Sequence, residues 1–488
     1  MKKKSVSKNY IYNILYDVLT LLVPLITAPY VSRILKPEGI GLYSFTYSIA
    51  AYFTYFAALG TTVYARREIA YQQDSIHDRS KVFWEILILR GITTGLSIVV
   101  YMAYLIFSQY QLIGLIQMFY IISILFDVTW FFQGMEDFGT VVLKNSLVKI
   151  ANIIFIFVFV KSRSDLIIYI FGLAFIPLIG NILTLSALKK YIKRVTIKEL
   201  HPFDHFRGAF VLFIPTIASQ VYLLLDKTMI GVFTTDNIEN GYYEQAQKII
   251  KICWTFITTY AAVMSPRISA TLAKKNIEKA QNYMKKSFSF VWFVASPIAF
   301  GLTAIAPIMV PWFFGSDYLK VIILLQIFAW IVFPIGLNSV TGNQFLIPTK
   351  KHRPYNMSII TGALVNFVLN LILIPRYYSV GAAISSVIAE IVICLYQIIY
   401  IVCYTKTFKI RDIFGSSYHY LISSFVMFIV ISLLSRHLSS NFLSVAIIIG
   451  LGALLYGFGL ILLKDELILN IVNKLKYSII NKKKGKVL

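Results

Sequence analysis

The chain has 488 residues, of which 58% are hydrophobic and only 14% are charged. An ordinary soluble domain is about 25% charged, so this chain lacks the polar residues that would cover a water-soluble core. Its formal net charge of +24 lies mostly in short clusters between apolar runs. The positive-inside rule accounts for such clusters, and we therefore expect a polytopic membrane protein with no nucleic-acid partner.

The apolar runs predict an all-α integral membrane protein, because each crossing needs about 20 mostly apolar residues. The Lys-rich start, MKKKSVSK, precedes a span that itself contains charges, which indicates a retained first helix and not a cleaved signal peptide. Fourteen transmembrane helices are predicted, near 10–35, 42–65, 82–107, 110–133, 140–160, 165–188, 208–233, 244–266, 287–313, 319–346, 355–375, 380–404, 417–435 and 441–463.

The distribution of basic residues predicts the orientation of these spans. Most Lys and Arg residues lie at the two ends of the chain and in the loops after even-numbered spans. Because basic loops stay in the cytoplasm, we expect both termini there. The longest connector, 189–207, follows the sixth span. It predicts two pseudo-symmetric six-helix lobes, 1–200 and 201–411, followed by two C-terminal helices and a basic tail, 412–488.

Several ionisable residues fall inside the predicted spans of the first half. Such a group at a helix centre costs about 2.5–3.5 kcal/mol on insertion scales, so it usually faces a partner or a cavity. Asp17, Thr20, Pro24 and Thr27 recur at helical spacing in span 1, which forms either a polar line along the inner wall of a lobe or a helix-packing seam with a proline kink. Arg90 in span 3 and Lys149 in span 5 are expected to point into the same lobe.

Charges also enter spans 7 and 8. Asp226 and Lys227 follow three leucines, and we expect these two side chains to neutralise each other. Glu244, Lys248 and Lys251 follow one another at intervals of four and three residues, so they share one face of a helix. Two interpretations stay open for this stripe: it lines a cavity, or its side chains snorkel to the outer interface.

The last predicted polar positions lie in spans 11 and 12. Gly362, Asn366 and Asn370 share a helix face, which favours hydrogen bonding between helices. Glu390 has no partner nearby in the sequence. Taken over all spans, the intramembrane charges are mainly cationic, which suits an anion such as a phosphate or pyrophosphate and disfavours a lipophilic cation.

Three stretches form a recognisable set: DKTMIG…NGYYEQAQK, SRILKPEGIGLYSF and WFFQGMEDF. Together they resemble the polysaccharide flippases of the Wzx type, in the MATE-related MOP exporter superfamily. The matching positions are Asp226, Lys227, Ile230, Gly231, Gly241, Tyr243 and Ala246 in the first stretch, Arg33, Pro37, Gly39, Gly41 and Tyr43 in the second, and Trp130, Gln133, Gly134 and Glu136 in the third.

The resemblance implies two lobes in a V shape that alternate access to a central cationic cavity. The cargo would be an undecaprenyl-diphosphate-linked oligosaccharide, moved across the bacterial inner membrane for capsule, exopolysaccharide or O-antigen assembly. H+ or Na+ would be the coupling ion, polysaccharide polymerase and glycosyltransferases the pathway partners, and no cofactor is expected. The predicted substrate-binding residues are Arg33, Arg90, Lys149, Lys248 and Lys251. The predicted coupling or gating residues are Asp17, Asp226, Lys227, Glu244 and Glu390.

The sequence also allows or disfavours other functions. Another exporter of the same superfamily, for drugs or for a peptidoglycan precursor, stays open. A membrane glycosyltransferase or polymerase would need catalytic groups on sizeable loops, whereas the predicted outer loops are short and the sequence contains no Walker A or Asp-x-Asp motif. We therefore expect no enzyme and no catalytic residue. The HPFDH stretch (His201, Asp204, His205) could form a metal site, but a solvated linker is favoured, so no metal is expected.

Overall fold

The computed structural model describes residues 6–234, 236–405, 407–415 and 417–469. Within these ranges the backbone is helical almost throughout and contains no β-strand, which confirms the predicted all-α class. Eleven helices of the described ranges are long and apolar enough to cross a membrane. The chain divides into two compact units, Met1–Glu244 and Gln245–Leu488.

The helices of the first unit are α1 (Val6–Ala58), α2 (Thr61–Tyr71), α3 (Ile76–Phe107), α4 (Gln111–Phe126), α5 (Thr129–Gly134), α6 (Phe138–Phe159), α7 (Leu166–Leu188), α8 (Phe206–Phe233) and the start of α9 (Ile238–Ala273). After the rest of α9, the second unit contains α10 (Ile277–Phe313), α11 (Lys320–Phe328), α12 (Val332–Asn338), α13 (His352–Ile399), α14 (Ile410–Phe414), α15 (Ser417–Ser435) and α16 (Phe442–Leu462). A wider π-type helical segment, Ser339–Leu346, follows α12.

Two of the long helices contain a non-helical residue. In α1 this residue is Lys36, at φ 60° and ψ 170°, directly before Pro37. In α13 it is Tyr378, at φ 54° and ψ −128°, shortly after Pro375. A proline disfavours helical dihedral angles at the residue before it, so the break at Lys36 lies where the sequence weakens the helix.

Two predicted spans, the second and the fourth, contain a break that the sequence did not predict. Span 2 was predicted to reach residue 65, but α1 ends at Ala58 and the chain restarts as α2 after Gly60. Gly60 has φ 69°, in the left-handed region that favours glycine. Span 4 is one apolar run in the sequence, yet the chain leaves the helix between α4 and α5, at Asp127 and Val128. Hydropathy misses both breaks because it records solvation and carries no information on backbone direction.

Aromatic side chains hold much of each unit together. In the first unit, Phe83 of α3 stacks on Trp130 of α5, with ring centroids 5.6 Å apart, inside a fully buried cluster. In the second unit, the indole Nε1 of Trp292 donates to the carbonyl oxygen of Ile413 at 2.9 Å. The hydroxyl of Tyr456 donates to the carbonyl oxygen of Phe293 at 2.7 Å. Trp292 and Tyr456 are therefore buried with their polar tips hydrogen-bonded.

Candidate functional site

Three glycines allow the backbone of α1 to lie directly against α8 and α9. A Cβ atom on Gly41 would lie 1.6 Å from the carbonyl oxygen of Asn237, and one on Gly241 would lie 2.0 Å from that of Pro37. A Cβ on Gly231 would lie 2.0 Å from the ring of Phe45. At Gly41 and Gly241 the neighbouring atoms are backbone, so any side chain there would force the two segments apart. We call the approach around Gly41, Gly231 and Gly241 the glycine contact.

A buried ion pair lies beside the glycine contact. The Nζ of Lys227 is 2.6 Å from Oε2 of Glu244, and each side chain is only 12% exposed. The Ser44 hydroxyl of α1 donates to the same carboxylate oxygen at 2.9 Å, and the side-chain amide of Asn240 donates to the carbonyl oxygen of Lys227 at 3.0 Å. Side chains from α1, α8 and α9 thus meet on one carboxylate. We call this ion pair and its hydrogen-bond partners the polar seam.

The partner of Lys227 differs from the sequence-based expectation. We expected Asp226 and Lys227 to neutralise each other, whereas Lys227 is ion-paired with Glu244. Consecutive helical residues point about 100° apart and do not face each other. The buried carboxylate of Asp226 accepts a hydrogen bond from the Tyr243 hydroxyl. A further contact to α1 comes from Thr228, whose hydroxyl is 2.9 Å from that of Ser48.

The lysine stripe continues along α9 into the second unit. α9 is helical from Ile238 to Ala273, so Lys248 and Lys251 follow Glu244 on the same face, as their spacing predicts. Lys248 is partly buried and Lys251 is exposed. Their roles as substrate ligands stay predictions.

Arg90 is fully buried and holds the break between α4 and α5. Its Nη1 donates to the carbonyl oxygens of Asp127 at 2.6 Å and of Ile124 at 3.2 Å. Its Nε and Nη2 donate to the hydroxyls of Thr61 and Thr62 at 2.9 and 3.0 Å. The last carbonyl groups of a helix lack hydrogen-bond donors within the helix, and the guanidinium of Arg90 donates to them here. The guanidinium of Arg90 thus has protein partners at all three of its nitrogens, which gives it a structural task, and its role as a substrate ligand stays a prediction.

Lys149 contacts the first segment of α1. Its ammonium donates to the Thr20 hydroxyl and lies 4.3 Å from the centroid of the Tyr16 ring. The side chain of Asp17 lies outside the described residues, and its coupling role stays a prediction. Arg33 is exposed on the last helical turn before the break in α1.

Lys144 of α6 is a largely buried cation that the sequence pattern did not single out. Its Nζ donates to the side-chain oxygen of Asn181 at 2.9 Å and lies 3.9 Å from Oδ1 of Asp127. The same Asp127 oxygen accepts from the hydroxyl of Thr129 at 2.7 Å, at the start of α5, and Asn181 in turn donates to the hydroxyl of Ser123 at 2.9 Å. The partners come from α4, α5 and α7, so no local sequence signal could have grouped them.

The polar positions of the second unit pair with other helical residues. Glu390 accepts a hydrogen bond from the side-chain amide of Asn338 at 2.9 Å, a partner 52 residues earlier in the chain. Asn370 donates to Asn366 at 3.2 Å, and both are fully buried. A Cβ on Gly362 would lie 2.3 Å from the Ile393 side chain. The Asn370–Asn366 bond lies within α13, so the predicted hydrogen bonding between helices stays a prediction, while Gly362 packs closely against Ile393.

The HPFDH stretch is less solvated than expected. His205 is only 12% exposed and its Nε2 lies 2.9 Å from Oε2 of the buried Glu85. Its Nδ1 lies 2.9 Å from the Tyr64 hydroxyl. The backbone N–H of His201 donates to the other Glu85 oxygen at 2.9 Å. The solvated-linker interpretation is therefore wrong for His205. The described residues contain no group of three His, Cys, Asp or Glu side chains that could hold a metal.

More of the 189–205 connector is fixed to α3. The guanidinium Nε of Arg79 donates to the carbonyl oxygen of Tyr191 at 2.8 Å, and the backbone N–H of Lys193 donates to the Ser80 hydroxyl at 2.9 Å. The Tyr191 hydroxyl donates to Asp137 at 2.8 Å. Burial, the bond to Asp137 and its negative charge raise the pKa of Tyr191 to about 12, so its proton stays in place at physiological pH.

Comparison with known proteins places this architecture in a family. Residues 6–272 match the family model described as polysaccharide biosynthesis protein. A protein of Escherichia coli (strain K12) named as an O-antigen transporter is 24% identical over 405 residues, which cover 82% of this chain and 97% of that protein.

Two solved structures share the fold. The lipid II flippase MurJ, in an inward closed conformation, aligns with a TM-score of 0.70 at 19% identity, covering 93% of this chain and all of that one. A multidrug resistance MATE family transporter of the MOP superfamily aligns with a TM-score of 0.61 at 15% identity, covering 80% of this chain and 96% of that one. Because the family model matches more than half of the chain, the protein belongs to the polysaccharide biosynthesis protein family, and the resemblance to Wzx-type flippases is confirmed.

Proposed function

We propose that this protein is a flippase that moves undecaprenyl-diphosphate-linked oligosaccharide units from the cytoplasmic to the outer leaflet of a bacterial cell membrane. The observation that carries the proposal is the family match over residues 6–272, a segment that includes the glycine contact, the polar seam and the α9 lysines. The name of the E. coli relative supports a lipid-linked sugar as cargo. Capsule, exopolysaccharide or O-antigen assembly would each use this step, between the glycosyltransferases that build the unit and a polymerase that extends it.

The proposed topology has fourteen crossings, with both termini in the cytoplasm and two six-helix lobes, 1–200 and 201–411, ahead of the final pair and tail, 412–488. Eleven described helices meet the length and hydropathy criteria for a span. Three more crossings bring the number to fourteen. The breaks at Lys36 and Tyr378 would divide α1 and α13 into two crossings each, and α8 would be the third. With 28 residues, α8 would extend about 42 Å, more than the ~30 Å hydrocarbon core.

The polar seam supports alternating access, because opening the glycine contact would take the Ser44 hydroxyl of α1 away from Glu244 and open the Lys227–Glu244 ion pair to water. Removing one partner of a buried ion pair costs about 3–5 kcal/mol, since the other charge is left unpaired. Proton binding by Glu244 would leave the charge of Lys227 unpaired in the closed contact, and this cost favours the open contact, in which water reaches the ammonium. We therefore propose Glu244, with Asp226 beside it, as groups through which an H+ or Na+ gradient acts. Asp17 and Glu390 are retained as further coupling candidates.

The cationic stripe of α9 is the proposed binding element for the diphosphate. Lys248 and Lys251 follow Glu244 by one and two helical turns on one face, so both ammonium groups can donate charge-assisted hydrogen bonds to neighbouring phosphate oxygens. Lys149 and Arg33 are further candidates, on α6 and α1. A ligand with two linked phosphates would engage both α9 lysines at once, which favours a diphosphate over a single carboxylate.

The experiment reconstitutes the protein in liposomes and measures flipping of a fluorescent polyprenyl-diphosphate oligosaccharide. We expect Lys248→Ala and Lys251→Ala each to lower the rate about tenfold, as expected when one hydrogen bond to a charged group is lost, without lowering membrane abundance. Lys274→Ala is the matched control, because Lys274 is an exposed lysine in the turn after α9.

The cargo assignment has a separate test, because MurJ and the MATE transporter share this fold. The same liposomes are assayed with lipid II and, for export, with a cationic dye. We expect transport of the oligosaccharide substrate and neither of the others. Dye export without oligosaccharide flipping would favour a multidrug exporter, and flipping of lipid II alone would favour a peptidoglycan-precursor flippase.

A further inference from the structure

A surface cavity of about 460 Å³ lies in the first unit, between the C-terminal half of α2 and the start of α8. It lies apart from the polar seam, and neither the binding set nor the coupling set uses it. Its wall combines charged and apolar side chains, among them Arg67, Glu68, Asp204, Arg207, Val211 and Leu212.

The charged part of the cavity contains two cations and two anions. Arg67 lies 3.3 Å from Glu68 and 5.6 Å from the centroid of the Tyr64 ring. Within the described part of the chain, the side chains of Asp204 and Arg207 form no hydrogen bond and no ion pair, not even with each other. The cavity therefore presents one cation and one anion that both remain available to a ligand.

The apolar part of the cavity opens onto an exposed stripe of α8. Val211, on the cavity wall, is 59% exposed, and Ile214, one turn further along, is 54% exposed. Phe206 and Phe210 are exposed on the same stretch of helix and stack with ring centroids 5.7 Å apart. Exposed apolar side chains of this kind on a membrane helix are suited to contact with lipid. The charged cavity thus lies at the end of a surface suited to an acyl chain.

The floor of the cavity is set by close backbone packing. A Cβ atom on Gly208 would lie 2.3 Å from the Tyr64 ring, so glycine is what lets α8 approach this ring. His205, directly before α8, is held by Tyr64 and Glu85. Because these contacts fix the start of α8, Asp204 and Arg207 are carried on a well-anchored backbone.

We propose that this cavity binds the headgroup of a zwitterionic phospholipid that bears a primary ammonium group, that is, a phosphoethanolamine lipid. Arg207, assisted by Arg67, binds the phosphate, and Asp204 accepts hydrogen bonds from the ammonium. The acyl chain follows Val211 and Ile214. A purely anionic headgroup would meet the unpaired carboxylate of Asp204, and a trimethylated ammonium has no N–H to donate to it. The charge pattern therefore selects both the phosphate and the primary amine.

The test uses the full-length protein, delipidated in detergent and titrated with defined lipids in native mass spectrometry. We expect phosphatidylethanolamine to bind about tenfold more tightly than phosphatidylcholine or phosphatidylglycerol, the size of one charge-assisted hydrogen bond. Arg207→Gln should weaken phosphatidylethanolamine binding about tenfold. Asp204→Asn should lower the affinity for phosphatidylethanolamine to that for phosphatidylcholine and leave the affinity for phosphatidylcholine unchanged. Lys198→Gln is the matched control, an exposed cation of the same connector outside the cavity.

Three results would overturn the proposal. One is equal binding of the three lipids by the wild-type chain. Another is unchanged phosphatidylethanolamine binding in both Arg207→Gln and Asp204→Asn. The third is displacement of the lipid by glycerophosphoethanolamine, which lacks acyl chains, at the same concentration, because the α8 stripe would then contribute nothing. Since lipid binding is read without measuring transport, failure here is distinguishable from failure of the proposed flippase function.

Discussion

Replacing Gly41 by alanine tests the glycine contact with the smallest available change. The added Cβ would lie 1.6 Å from the carbonyl oxygen of Asn237, and such contacts essentially never fall below 3.0 Å. The segments must therefore separate by about 1.4 Å. Ser44 is one turn away, so its 2.9 Å bond to Glu244 would lengthen past the hydrogen-bonding range. Overpacking of this kind costs about 1–3 kcal/mol, which shifts an equilibrium against the closed contact by about 5- to 150-fold.

The assay measures how often this contact opens. Ser48 is fully buried beside the polar seam, so Ser48→Cys is introduced into a chain whose native cysteines are replaced. A membrane-impermeant maleimide then labels it in intact cells. We expect Gly41→Ala to raise the labelling rate by about 5- to 150-fold. Gly95→Ala on α3 is the control, because a Cβ on Gly95 would have no atom within 4 Å. Equal labelling in the two variants would refute the reasoning.

Three further predictions concern residues whose partners the structure defines. Lys227→Met or Glu244→Met alone should lower the melting temperature more than the double variant does, because each single change leaves a buried charge unpaired. A double variant whose melting temperature falls by the sum of the two single effects would contradict this. Arg90→Gln should lower the melting temperature but leave the flipping rate per folded molecule unchanged. A lost flipping activity at a normal melting temperature would instead indicate that Arg90 binds the substrate. Cross-linking Ser80→Cys to Lys193→Cys should leave flipping intact, because the connector is already fixed there; a loss reversed by cleaving the linker would show that the connector must detach.

The sequence predicted the features that depend on composition and on spacing along one helix. Long apolar runs fixed the all-α class, and the interval between Glu244 and Lys248 placed both on one face of α9. Partners from distant segments were not predictable. Lys227 follows Asp226 directly, yet its ion pair forms with Glu244, 17 residues later. His205 was assigned to a solvated linker because its partner, Glu85, is 120 residues earlier.

Arg90 shows why a cation in an apolar run is ambiguous in sequence alone. A buried charge in a membrane must be satisfied, but so must every backbone carbonyl freed by a helix break. The run 111–134 contains such a break after Phe126, and the carbonyls of Ile124 and Asp127 are the acceptors that Arg90 uses. Hydropathy does not reveal that break. The sequence therefore does not show that these carbonyls need a donor, and Arg90 is assigned to a ligand instead. An intramembrane Arg or Lys should therefore be assigned to a substrate only after the carbonyls at nearby helix ends have been given their donors. By this criterion Arg90 is accounted for by the protein itself, and the α9 lysines remain the residues on which a test of diphosphate binding should focus.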